Sequence, residues 1–107
     1  MDYDKIKDTI LEGVREIAEE EFDGYEESLI QSSEEFLEDI KEELKVLMEQ
    51  HANGELTKLE FKSCLRQKKG KAKMHALLQI GVTQVKLERF RRKLIDLVVS
   101  TVTDAIL

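Results

Sequence analysis

A chain of 107 residues with 23 acidic and 17 basic side chains, no proline and five glycines is too short for two independent domains and too poor in chain breakers for a loop-rich fold. Its formal net charge of −6 disfavours a dedicated nucleic-acid binder, and the most apolar stretch, 94–107, is too short to span a bilayer and contains Asp96 and Asp104. The first eight residues are charged and lack a secretory core, so one all-α domain over 1–107, cytoplasmic and outside the membrane, is expected.

The first half, 2–52, reads as an acidic helical arm. An 11-residue spacing links Tyr3, Val14, Tyr25, Phe36 and Leu47; Leu11, Phe22 and Leu44 follow a second column, and Ala18, Leu29 and Ile40 a third. Eleven residues in three turns keep a seam on one face of a nearly straight helix, so a long rod is expected. Asp23-Gly24 and Ser32-Ser33 are the two places where it would bend or turn, the second because Ser32 and Glu35 have the spacing of a capping box.

The turn at 52–55 holds Asn53-Gly54, the strongest reversal signal in the chain. Gly54, Leu56 and Glu60 give this segment a look that resembles the exit of an EF-hand loop, and it is also similar to short bacterial helical-hairpin modules. The EF-hand resemblance implies Glu49, His51 and Asn53 at the first, third and fifth ligand places and Glu60 at the twelfth. His51 is a poor calcium ligand, Glu49 is longer than the usual Asp, and no second hand follows. A helix-turn-helix corner in which Thr57 caps the next helix and Glu60 completes the box accounts for the same residues, and that corner is the expectation.

The second half, 56–106, is basic. A short helix is expected at 57–68 and a longer one at 72–105, separated near Gly70 in a run from Arg66 to Lys73 without a large apolar side chain. Ile80, Leu87 and Leu94, with Ala76, Phe90 and Leu97, keep coiled-coil heptad spacing. Val82, Val85, Ile95, Val99 and Val102 widen that stripe beyond what one partner helix covers. The β-branched run Val98–Thr103 continues the stripe and is expected to be helical.

Residues 1–55 hold 19 acids and 5 bases, net −14, whereas 56–107 hold 4 acids and 12 bases, net +8. Folding the chain back at the midpoint sets Glu34, Glu35, Glu38, Glu42 and Glu43 opposite Arg66, Lys68, Lys69, Lys71 and Lys73, and sets Glu19, Glu20 and Glu21 opposite Lys86, Arg89 and Arg91. The expected fold is an antiparallel helical hairpin or small helical bundle, completed by oligomerisation because the stripe is broad.

Catalytic chemistry lacks its usual signatures. No phosphate loop, nucleophile elbow or zinc spacing occurs, and Met48 and Ala72 stand where a Glu-x-x-His pair would place its carboxylates. His51 and His75 read as cap or boundary residues and Cys64 as a packing residue. No cofactor or metal is expected. The leading reading is a non-enzymatic structural or interaction protein, an adaptor or assembly factor, whose partners are itself and another protein. Arg66, Lys68, Lys69, Lys71, Lys73, Arg89, Arg91, Arg92 and Lys93 form its candidate partner-binding basic patch. Two weaker alternatives are nucleic-acid binding through that patch and peripheral lipid association through amphipathic helices.

Overall fold

Gly24, Gly54 and Gly81 hold φ angles of +93°, +78° and +107°, and each closes a turn between helices. The structure, a computed structural model, describes residues 2–68 and 74–106, all of its regular elements being helical. They are α1 (Tyr3–Glu21), α2 (Glu26–Asp39), α3 (Lys41–Ala52), α4 (Lys58–Lys68), α5 (His75–Gln79) and α6 (Gln84–Ile106). The expected interruption at Gly70 and the residues Lys69, Lys71 and Lys73 lie outside the described residues.

α1 starts because the Asp2 carboxylate accepts from the Asp4 and Lys5 amides, and it buries Tyr3, Ile6, Ile10, Val14 and Ala18 along one face. It ends at Phe22, whose side chain is buried; beyond it the Gly24 amide donates to the Glu26 carboxylate. The expected rod is therefore folded at Gly24, which takes a left-handed φ that a residue with Cβ enters at a cost. The other expected break, at Ser32, is not made: Ser32 lies within α2 between the buried Leu29 and Phe36. The kink comes instead at Ile40, where φ is −102° and ψ 7°. Hydrogen bonding bridges it, from the Ile40 amide to Phe36 and from the Leu44 amide to the Ile40 carbonyl.

In the basic half, α4 matches the expected 57–68 and the β-branched run is helical within α6. The expected helix 72–105 is divided by the reversal at Ile80–Gly81. The Gly81 and Val82 amides close α5 by donating to Leu78 and Leu77, and Thr83 Oγ1 opens α6 by accepting from Lys86 N at 3.2 Å. This shifts the heptad register: Ala76, Ile80 and Val85 are exposed, while Met74 and Leu77 are buried in their stead.

Tyr3 Oη donates to the Leu37 carbonyl at 2.9 Å, and Lys7–Glu38 and Arg15–Glu27 ion pairs follow, so α1 and α2 run antiparallel. α1 also runs antiparallel to α6, with Phe22 edge-on to Phe90 at 5.7 Å and Glu21 paired with Lys93. Gly13 permits close approach there: a Cβ on it would stand 2.7 Å from the Leu97 methyls. α3 meets α4 through Glu43–Lys68 at 3.3 Å and His51 stacked on Phe61, and α4 meets α6 through Lys62–Asp96 at 2.8 Å.

The folded-back register thus describes α1 with α6 and α3 with α4 to within a few residues. It does not describe a single hairpin, because the Gly24 turn inserts α2 beside α1. Glu38 consequently pairs with Lys7 of its own half, Arg91 pairs with Glu88 on α6, and Glu21 reaches Lys93 rather than Arg89 or Arg91. Most of the stripe that argued for oligomerisation is covered within the chain, Ile80 and Val85 remaining exposed. Leu87, Phe90, Leu94, Ile95, Val98, Val99 and Val102 are all buried, and α6 is packed against α1, α4 and α5.

Candidate interaction surface

α4 and α6 carry the described members of the basic patch, Arg66, Lys68, Arg89, Arg91, Arg92 and Lys93, whereas Lys69, Lys71 and Lys73 lie outside the described residues. Helical spacing puts Arg89 and Arg92 on the outer side of α6, opposite the buried Leu87, Phe90 and Leu94, and both are exposed. Arg66 is exposed on α4 and shares a surface cleft with Arg92, Ile95 and Asp96. Ile95, 2% exposed, gives that cleft an apolar floor. Arg89, Arg92 and Lys93 border a second, shallower surface with Glu21 and Asp96.

Three further described members of the patch are engaged internally. Lys68 pairs with Glu43, Arg91 with Glu88 at 2.6 Å and Lys93 with Glu21. The sequence pattern does not tell which cations face outward, since that depends on where each carboxylate of the folded acidic half arrives. Lys62, outside the expected patch, joins its edge through Asp96. Its signal is its place one turn before Arg66 on α4.

The corner at 52–58 has the geometry of a helix junction. Thr57 Oγ1 accepts from the Glu60 amide at 3.1 Å and the Glu60 carboxylate accepts from the Thr57 amide at 3.0 Å, which is the expected capping box. The Thr57 amide, and after it the Thr57 side chain, hold the Glu60 carboxyl below the usual range. Glu49 and His51 lie within α3 rather than in a loop. His51 Nδ1 is 2.7 Å from the Leu56 carbonyl, and its ring stacks 5.3 Å from Phe61. Two of the side chains that an EF-hand would aim at calcium, His51 and Glu60, are thus used in packing and capping, and no cluster of three metal-ligating side chains occurs among the described residues. Cys64 is half-buried on α4 and has no disulfide partner.

The acidic side is formed by α1 and α2, where Lys7 stands among Glu34, Glu35, Glu38 and Asp39. The Glu38 carboxylate accepts a hydrogen bond from Lys7 at 2.9 Å, raising the lysine and lowering the glutamate. No described helix is long and apolar enough to cross a membrane. Comparison with known proteins adds no assignment to this geometry: no family model, no curated protein and no solved structure matches the chain.

Proposed function

We propose that this protein is a non-enzymatic adaptor or assembly factor that offers the cleft between α4 and α6 to an acidic segment of a protein partner. The observation that supports this is the convergence of the exposed Arg66 and Arg92 on a cleft floored by Ile95. Guanidinium groups over an apolar floor suit a carboxylate-bearing helix that also buries a small apolar side chain. Cytoplasm is the compartment in this reading, where a free Cys64 stays reduced.

The phosphate-binding alternative gains from the exposed arginines but lacks a stacking platform. Phe61 and Phe90, the aromatic residues of the basic half, are both 0% exposed, and Asp96 places a carboxylate within the cleft. Lipid association is disfavoured because the apolar face of α1 is turned into the core.

Affinity capture with the intact chain and with R66E/R92E tests the reading. A captured protein should be lost with the variant while its thermal melt stays unchanged, and DNA or RNA oligonucleotides should give no gel shift at about 1 micromolar protein. A shift at lower concentration that R66E/R92E removes would give the cleft to nucleic acid instead.

A further inference from the structure

We infer that the elbow joining α5 to α6 is a two-fold interface between two copies of this chain. Leu78, Ile80 and Val85, three of the large apolar side chains left exposed, are 36%, 48% and 70% accessible and lie close together in sequence on this elbow. They are not on a loose loop. Leu77 and Val82 on either side of the reversal are 1% and 3% exposed, and the hydrogen bonds from Gly81 and Val82 into α5 fix the backbone between them. The exposed residues are therefore presented from an anchored frame. Apolar exposure repeated along one short anchored segment suits an association surface, whereas single exposed residues need no explanation.

Charge on the flanks selects the occupant. On one side, Ile80 shares a shallow groove with Ser32 and Glu35 of α2. On the other, Val85 and Arg89 stand one turn apart on the outer side of α6, both exposed. An apolar centre with a carboxylate on one flank and a guanidinium on the other is complementary to itself after a two-fold rotation. Arg89 of each copy then meets Glu35 of the other, and the apolar residues meet around the axis. Nucleic acid or an anionic lipid surface would be attracted by Arg89 and repelled by Glu35. The proposal goes beyond the adaptor reading and uses neither Arg66 nor Arg92.

Sedimentation velocity and light scattering on the intact protein from about 1 to about 100 micromolar test it. The mass should rise from one chain to two. I80E/V85E should stay monomeric with an unchanged helical melt, since both positions are exposed. R89E and E35R should each weaken dimerisation at least about tenfold, because each places like charges opposite one another twice. An equimolar mixture of R89E with E35R should recover the dimer, since both crossed pairs are then restored. R66E/R92E should dimerise normally, which separates this interface from the partner cleft. A chain that remains monomeric at the highest concentration, a dimer unaffected by I80E/V85E, or a mixture that fails to recover would overturn the proposal.

Discussion

Ser33 stands between Phe22 and Leu44 in an apolar column of the acidic half, and its side chain is 0% exposed. Its hydroxyl has no hydrogen-bond partner among the described residues. Removing a buried hydroxyl without a partner, and adding helix propensity within α2, should make S33A more stable by about 1 kcal/mol. A thermal melt should show this as a rise of roughly 4–8 °C. Tyr3 is the opposite case, because its phenol reaches the carbonyl of Leu37 in the last turn of α2, where helix carbonyls lack intrahelical acceptor bonds. Y3F should therefore lose about 1 kcal/mol at neutral pH. Burial, then the negative charges of Glu38, Asp4 and Glu42, push the phenol up to about 12 from an ordinary 10.0. Because the unfolded chain releases this proton first, the stabilisation is complete below an unfolded pKa of about 10 and is lost as pH rises through the folded value. Denaturant titrations of both proteins should show an alkaline loss of stability that is smaller in Y3F; parallel curves would contradict the assigned burial.

At the scale of single elements, local chemistry starts helices and long-range packing decides how far they run. Thr57 caps α4 as the sequence pattern implies, and T57A should cost about 1 kcal/mol because the Glu60 amide loses its acceptor. Circular dichroism melts would check this, and an unchanged midpoint would mean that α4 is held by Phe61 and Leu65 alone. The Ser32–Glu35 pattern shows the limit of such signals. It has the same spacing as Thr57–Glu60 but lies within a helix, because Leu29, Phe36 and Leu37 bury one continuous face across it. Ile40 shows the converse. Nothing in its residue type signals a break, yet the chain kinks there with the side chain fully buried.

For the molecule as a whole, the acidic and basic halves form one body. α1 supplies the surface on which α6 packs, through Phe22 against Phe90 and Gly13 beneath Leu97. Residues 56–107 expressed alone should consequently show no cooperative thermal transition, whereas the intact chain should unfold in a single step. A cooperative melt of the fragment would mean that α4, α5 and α6 form a core without α1. The Glu43–Lys68 and Glu21–Lys93 pairs that join the halves are partly exposed and contribute about 0–1 kcal/mol each, so they select the register while apolar burial supplies most of the stability.

The sequence by itself determined the helical class, the reversal at Asn53-Gly54, the Thr57–Glu60 cap and the approximate pairing of the two halves. Each is written in local periodicity, a turn dipeptide or a charge difference that does not depend on distant contacts. Only the tertiary structure decided that Gly24 is a full turn, that Ile40 is the kink and that the heptad column fails at Ile80. It likewise decided which arginines remain exposed. The physical reason is common to all four: each outcome depends on which buried face a neighbouring helix can cover, and that neighbour lies far away along the chain.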